Sequence, residues 1–169
     1  AGADGVRGHR LNPTYSVEKV MWVRDNEPET WDRVRRVCVA KDFIVLRLTG
    51  RLATDRSDAS GTNAYDQQRG TWADEGLTAA RLDPSLFPEI LESTAIAGTL
   101  TAGAAEALGL PASVRVVMGG GDVQLGCLGL GVVRAGQTAV LGGTFWQQVV
   151  NLPQVRTDPE MNIRVNPHV

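Results

Sequence analysis

Apolar residues in the first fifty positions recur at helical spacing. A helix that begins at Ser16 is predicted to carry four of them on one broad face: Val17, Val20, Met21 and Val23. A second helix is predicted from Pro28 through Cys38, because proline and an acidic residue both suit a first helical turn. A third is predicted from Asp42 to Thr49, where Gly50 ends it.

The pattern becomes mixed after residue 50. Residues 54–66 are dense in Asp, Ser, Thr and Gly, which predicts an ordered loop followed by a surface turn over 66–72. The further predicted elements are short helices at 77–82 and 85–91, a helix at 101–108, a strand at 114–118, a helix at 122–130, and a hairpin of 136–141 with 145–150. Helices that alternate with strands in this way predict an α/β fold.

Composition and charge exclude several classes of protein. Hydrophobic residues make up 43% of the chain and charged residues 21%, as in soluble globular proteins. A net charge of -2 indicates no nucleic-acid partner, and no apolar run reaches the roughly 20 residues of a membrane helix. The first residues lack the basic start and apolar stretch of a signal peptide, so none is predicted. Cys38 and Cys127 lie in apolar contexts, which predicts buried, reduced thiols and a cytoplasmic location.

Two apolar strands stop at clusters of glycine, and each cluster ends on a polar side chain. Gly119 to Gly121 precede Asp122, and Gly142 and Gly143 precede Thr144. Because glycine lets backbone amides approach a ligand, a carboxylate beside such a loop suits a general base next to a phosphate. The same residues also suit an ordinary turn and helix cap, so from spacing alone both interpretations stay open.

Six short blocks occur in a fixed order along the chain: Lys19 to Glu29, Lys41 to Gly50, Thr54 to Thr62, Gly98 to Leu100, Gly119 to Asp122, and Leu141 to Thr144. Together they resemble the FGGY family of carbohydrate kinases. The resemblance implies a ribonuclease H-like, actin-like ATPase fold that is incomplete in this chain. Residues 1–132 would be the later part of the N-terminal, sugar-binding domain, and residues 133–169 the beginning of the C-terminal, nucleotide-binding domain.

The resemblance also implies roles for particular residues. Asp122 matches the catalytic base, and three residues match the motif that borders the phosphates of ATP: Gly142, Gly143 and Thr144. Gln124, Asp58 and Ser60 are weaker substrate-binding candidates, of which the last two are interpreted mainly as structural. ATP and Mg²⁺ are the implied cofactors, but the family's magnesium-holding Asp-x-Gly-Thr hairpin and its adenosine site do not occur here. His9 and His168 lack the spacing of a metal site, and no metal ligand is assigned.

Within the family, the stretch from Gly143 to Pro153 is most similar to that of autoinducer-2 kinases. The implied reaction is ATP-dependent phosphorylation of a hydroxyl on a small sugar or hydroxyketone, with autoinducer-2 as the substrate. The alternatives are a pentulose kinase similar to xylulokinases, or a non-catalytic scaffold of the same fold. We expect the chain to be part of a longer kinase and to be inactive alone. The prediction allows for a homodimer and includes no membrane partner.

Overall fold

The computed structural model of the chain describes residues 10, 12–160 and 162–169. Its helices are α1 (Ser16–Asn26), α2 (Pro28–Trp31), α3 (Ala40–Thr49), α4 (Arg56–Ser60), α5 (Asp74–Ala79), α6 (Ala102–Leu108) and α7 (Asp122–Gly129), with one 3₁₀ turn (Pro84–Leu86). Its strands are β1 (Ala53–Asp55), β2 (Tyr65–Asp66), β3 (Thr71–Trp72), β4 (Glu89–Leu91), β5 (Ile96–Thr99), β6 (Arg115–Val117), β7 (Thr138–Gly142) and β8 (Trp146–Val150). The predicted α/β class is confirmed.

The strands of the described residues pair two by two. Strand β1 runs parallel to β4, whereas β2 with β3, β5 with β6, and β7 with β8 are antiparallel. The last pair is the predicted hairpin, in which Gly142 lies opposite Trp146. Parallel strands need a long connection, and here the connection between β1 and β4 includes helices α4 and α5.

Three small clusters of buried apolar side chains hold these elements together. One joins α1 to α5 and the 3₁₀ turn, through residues that include Val17 and Leu77. A second consists of Val45, Ala53, Ala97 and Met118. A third consists of Cys127, Val132 and Ala139. The second cluster determines where the site lies, because it packs the start of β1 and the residue after β6 against helix α3.

Several local predictions are confirmed. Helix α3 ends at Gly50, which has φ +77°, and helix α6 ends at Gly109, which has φ +65°. Both glycines adopt the left-handed conformation that other residues disfavour, so both are effective helix stops. Helix α6 also begins as expected, since the Thr101 side chain accepts the backbone N–H of Ala104. None of the helices in the described part of the chain is long and apolar enough to cross a membrane.

The second predicted helix is too long. Helix α2 ends at Trp31, and residues 34–39 have no regular secondary structure. The Val37 backbone N–H donates to Leu86 O at 2.8 Å instead of to a residue one turn earlier. This tertiary hydrogen bond replaces the helical one. As a result Cys38 is exposed, so the prediction of a buried thiol is wrong there, whereas Cys127 is buried as expected.

Two further predictions are corrected by long-range pairing. Only Pro84–Leu86 of the predicted helix at 85–91 is helical, and Glu89–Leu91 is a strand because it pairs with β1. Residues 54–66 are more regular than a loop, since they contain the end of β1, helix α4 and strand β2. In both places the local composition is ambiguous, and a partner distant in the chain decides the structure.

Candidate functional site

A buried group of charged side chains lies between helix α3, strand β1 and helix α4. We call Lys41, Asp42, Asp55 and Asp58 the aspartate–lysine cluster. The Lys41 ammonium lies 3.0 Å from Asp42 Oδ1, 3.2 Å from Asp55 Oδ1 and 3.5 Å from Asp58 Oδ2. Asp42 and Asp55 have 1% and 0% of their surface exposed. One cation therefore faces three carboxylates, of which Asp42 and Asp55 are buried and Asp58 is partly exposed.

Local structure explains how each carboxylate is held. Asp42 stands in the first turn of α3, where its Oδ2 accepts the backbone N–H of Val39 at 3.3 Å. Asp55 is the last residue of β1 and caps α4, because its Oδ2 accepts the Ser57 backbone N–H at 2.8 Å. A carboxylate that accepts backbone N–H groups at a helix start satisfies donors that the helix itself leaves unpaired.

The cluster shifts the pKa values of its members. Burial raises the pKa of Asp42 and of Asp58 above the ordinary carboxyl range, and the charge of Lys41 only partly offsets this. Burial alone lowers the pKa of the Lys41 ammonium, but its hydrogen bond to Asp42 and the neighbouring negative charges outweigh burial. The net pKa of Lys41 therefore lies above its ordinary value. Lys41 stays protonated at neutral pH, so it acts here as a countercharge and not as a nucleophile or a base.

A short hydrogen-bonded path connects the cluster to the glycine turn after β6. The Ser57 hydroxyl donates to Asp55 Oδ2, and the Gly121 backbone N–H donates to Ser57 Oγ at 2.8 Å. The Ser93 hydroxyl donates to the same Asp55 oxygen at 3.1 Å. The turn that precedes Asp122 is thus attached to a buried polar network.

The glycines of this turn permit its close approach to the network. Gly119 has φ +72°. A Cβ on Gly120 would lie 2.9 Å from Ser57 Oγ and would collide with the Val169 side chain. A Cβ on Gly121 would lie 2.6 Å from Gln124 Oε1 and 3.5 Å from Asp58 Oδ1. A larger residue at Gly120 would push against the buried Ser57 hydroxyl and the Val169 side chain, so packing requires a small residue there. At Gly121 only the flexible end of Gln124 would have to move.

The structure brings three of the predicted site residues to this turn. Asp122 is the first residue of α7 and is exposed, with its Oδ1 accepting the Val123 backbone N–H at 2.8 Å. Gln124 and Asp58 both lie beside Gly121, because a Cβ on Gly121 would be 2.6 Å from Gln124 Oε1 and 3.5 Å from Asp58 Oδ1. An exposed carboxylate at a helix N-terminus, directly after a glycine turn, can accept a proton from a bound hydroxyl.

Ser60 lies deeper than the other predicted site residues. It has 0% of its surface exposed, and its Oγ lies 2.8 Å from Ser57 O and 2.9 Å from Asn166 Oδ1. Its contacts are therefore with the chain itself. They favour the structural interpretation of Ser60, and its role in substrate binding stays a prediction.

The second glycine motif is the exposed tip of the β7–β8 hairpin. Gly142, Gly143 and Thr144 are all exposed, and the Gly143 backbone N–H donates to Phe145 O at 3.1 Å. The hairpin contacts α7 beyond its first turn, where a Cβ on Gly126 would lie 3.5 Å from the Leu141 side chain. The described contacts therefore place the hairpin against the later part of α7 and not against Asp122.

Within the described ranges, no group of three or more His, Cys, Asp or Glu side chains could hold a metal ion. The Nε2 atom of His168 lies 2.9 Å from Val132 O. This contact holds the last residues against Val132. His9 lies outside the residues that the structure describes.

Sequence reasoning missed the residues that support the glycine turn. Lys41, Asp55 and Ser57 lie in two of the six blocks, yet neither charge nor spacing indicates that these blocks meet. Helix α3 and strand β1 must first pack through Val45 and Ala53. The nearest signal in the sequence is Asp55 followed two residues later by a serine, a pattern typical of a helix cap.

Comparison with known proteins gives consistent results. The sequence model described as "FGGY family of carbohydrate kinases, N-terminal domain" matches residues 5–129. The autoinducer-2 kinase of Klebsiella pneumoniae subsp. pneumoniae is 50% identical over 154 residues, which are 91% of this chain and 29% of that protein. The chain thus spans less than a third of the length of that curated relative.

Solved structures show the same fold. A gluconate kinase from Lactobacillus acidophilus superposes with a TM-score of 0.91 at 22% identity, over 98% of this chain and 34% of that one. A xylulose kinase from Rhodospirillum rubrum gives a TM-score of 0.90 at 25% identity, with the same coverage of 98% and 34%. The chain therefore has part of the actin-like fold of these kinases, as expected, and spans 34% of each of them.

Proposed function

The chain belongs to the FGGY family of carbohydrate kinases, and from this membership we propose that it supplies the general base of an ATP-dependent kinase. Asp122 is that base, and the acceptor is a hydroxyl group of a small sugar-like substrate. One observation carries the proposal. The exposed carboxylate of Asp122 follows a glycine turn whose last N–H is bonded to a buried side-chain network.

The chemistry asks little of the protein beyond position. Asp122 accepts the proton of the substrate hydroxyl as that oxygen bonds to the γ-phosphorus of ATP, and the bond to the β-phosphate oxygen breaks to release ADP. The carboxylate of Asp122 must therefore lie within hydrogen-bond reach of the hydroxyl. The helix dipole of α7 favours the negative charge that this role requires. When bound, ATP supplies the phosphoryl group and Mg²⁺ neutralises its charge. We assign no Mg²⁺ ligand to this chain.

We propose that the tip of the β7–β8 hairpin borders the phosphates. Its exposed glycines leave room for a bulky anion, and the exposed Thr144 hydroxyl can donate to a phosphate oxygen. The Gly143 N–H is bonded to Phe145 O, so the hydroxyl is the donor on which this assignment depends. The tip would belong to the nucleotide-binding domain that we place from residue 133 onward. The family match to the N-terminal domain, which ends at residue 129, supports that division.

We propose autoinducer-2 as the substrate, because curated relatives at 47–50% identity carry the name autoinducer-2 kinase. A pentulose is the alternative, since xylulose kinases share the fold. The unpaired state of both cysteines supports the cytoplasm as the location of the protein. We further propose that these 169 residues alone are catalytically inactive, because catalysis in a two-lobed kinase requires closure around both substrates.

An ATP-consumption assay on the complete protein tests the proposal. The substrates are the autoinducer-2 precursor, D-xylulose, L-ribulose and glycerol, and the variant is Asp122→Asn. Removal of a general base lowers kcat by a factor of about 100 to 10,000. Asp74→Asn is a matched control, because Asp74 is also an exposed first residue of a helix but lies on α5.

Each outcome separates the alternatives. Turnover of the autoinducer-2 precursor that is lost only in Asp122→Asn supports the base and the substrate together. Turnover of D-xylulose or L-ribulose instead keeps Asp122 as the base and replaces autoinducer-2 by a pentulose. An inactive wild type on all four substrates, or full activity of Asp122→Asn, would contradict the proposal and favour a non-catalytic scaffold.

A further inference from the structure

A path of polar contacts runs from Lys41 through Asp55 and Ser57 to the backbone N–H of Gly121, directly before the proposed base Asp122. Resting on the proposed role of Asp122, we infer that Ser57 is a positioning residue for that base. Its hydroxyl, oriented by Asp55 and Lys41, holds the N–H of Gly121 and thereby sets the peptide from which Asp122 begins helix α7.

The direction of each hydrogen bond in the path is determined by chemistry. The Asp55 carboxylate can only accept, so the single hydrogen of the Ser57 hydroxyl points to Asp55 Oδ2. The lone pairs of Ser57 Oγ then face the Gly121 N–H, which can only donate, at 2.8 Å. The Lys41 ammonium lies 3.2 Å from the other oxygen of Asp55 and holds that side chain in place. The path thus has one consistent arrangement of hydrogens.

The turn requires an anchor because three consecutive glycines are the most flexible link that a chain can contain. Gly119 is held by a backbone bond, in which its N–H donates to Ser93 O at 2.9 Å. Gly121 is held by the Ser57 side chain. Without the second bond the peptide before Asp122 would lose its only described side-chain anchor, and a displacement of about 1 Å at a catalytic group can reduce a rate about 100-fold.

Ser57 itself does not reach a substrate. It is only 4% exposed and lies beneath the turn, with Asp55 on its other side. The contribution of Ser57 to catalysis is therefore indirect, and its loss should change kcat more than KM. This distinguishes it from Asp58 and Gln124, which flank the same turn and are candidates for direct contact with substrate.

Ser57→Ala in the complete protein tests the inference, with Ser93→Ala as the matched control. Both serines donate to the same Asp55 oxygen, but only Ser57 accepts the Gly121 N–H. We expect Ser57→Ala to lower kcat by about 10- to 100-fold with the KM for ATP unchanged. Ser93→Ala should stay within about threefold of the wild type, and Ser57→Thr, which keeps the hydroxyl, should recover part of the rate.

A second readout does not depend on turnover. Hydrogen exchange at the Gly121 amide, followed by NMR of glycine-labelled protein, should accelerate in Ser57→Ala and not in Ser93→Ala. If Ser57→Ala does not fold, Ser57→Cys takes its place with the same expectation, because a thiol keeps the volume but accepts hydrogen bonds weakly.

Two results would overturn the inference. One is a folded Ser57→Ala with normal kcat and normal Gly121 exchange. The other is an equal loss of kcat in both serine variants, which would indicate general loosening around Asp55. Asp122→Asn, measured alongside, separates the two proposals. If that variant is fully active the base assignment fails, whereas an inactive Asp122→Asn with a normal Ser57→Ala contradicts only the role of Ser57.

Discussion

The two glycine motifs of this chain resemble each other in sequence but differ in their surroundings. The turn at Gly119–Gly121 rests on the aspartate–lysine cluster, and Ser57 and Asp55 beneath it are 4% and 0% exposed. The tip at Gly142–Thr144 is exposed, and the two aromatic residues after it are among the most exposed of the chain, with Phe145 at 75% and Trp146 at 82%. One motif is embedded in polar structure and the other projects from it.

This difference indicates that the two glycine motifs have different roles. A base must be held to within a fraction of an ångström of the atom that it deprotonates, which requires packing and satisfied hydrogen bonds on every side. A tip that borders phosphates needs open space and an available donor. Substitutions beneath the first motif should therefore change stability, whereas those at the second should leave stability alone and change activity.

Lys41→Met should have the largest effect on stability. It leaves Asp42 and Asp55 buried without their countercharge, and the loss of one partner of a buried ion pair costs about 3–5 kcal/mol. Urea unfolding of the complete protein measures the change. Lys19→Met is the control, because Lys19 is exposed and its replacement should alter stability by less than about 0.5 kcal/mol. A loss below about 1 kcal/mol for Lys41→Met would mean that the cluster does not depend on its cation.

Gly120→Ala should have the next largest effect. The added methyl would lie 2.9 Å from Ser57 Oγ, so either Ser57 or the turn must move, at a cost of about 1–3 kcal/mol. Gly103→Ala in helix α6 is the opposite case, because a Cβ there meets nothing within 4 Å. It should stabilise the protein by up to about 1 kcal/mol, as alanine does in helices. Thermal unfolding measures the stability of both variants. Equal stability changes in Gly120→Ala and Gly103→Ala would show that the turn has room for a methyl group.

Thr144→Ala should have the smallest effect on stability and a clear effect on activity. Thr144 is exposed, so unfolding should change by less than about 0.5 kcal/mol. If its hydroxyl donates to a phosphate, its loss should cost about 1.5–3 kcal/mol of transition-state binding, which is roughly a 10- to 100-fold fall in kcat/KM for ATP. Thr71→Ala, at an exposed position in β3, is the control. Unchanged kinetics in Thr144→Ala would remove the hairpin tip from the phosphate site.

Local signals in the sequence predicted much of the fold. Helix α3 was expected to end at Gly50 and helix α6 at Gly109, and both do so with positive φ. Helix α7 begins at Asp122, as the glycines before it indicate. These features are predictable because a cap or a left-handed glycine acts within a few residues of itself.

Other elements depend on partners far along the chain. Strand β4 exists because Glu89–Leu91 pairs with Ala53–Asp55, and the predicted helix through Cys38 stops early because Val37 bonds to Leu86. Neither partner can be identified from the local pattern. The aspartate–lysine cluster was not predicted for the same reason, since nothing near Lys41 in the sequence shows that Asp55 and Asp58 will lie beside it.

The sequence by itself determined the family, the α/β class and the position of Asp122 directly after a strand and a glycine turn. Motif order and local backbone preferences are enough for these, because they are properties of short segments. Only the tertiary structure showed that Gly121 bonds to Ser57, 64 residues earlier, and through it to Asp55 and Lys41. That bond exists because apolar packing among Val45, Ala53 and Met118 brings three distant segments to one place.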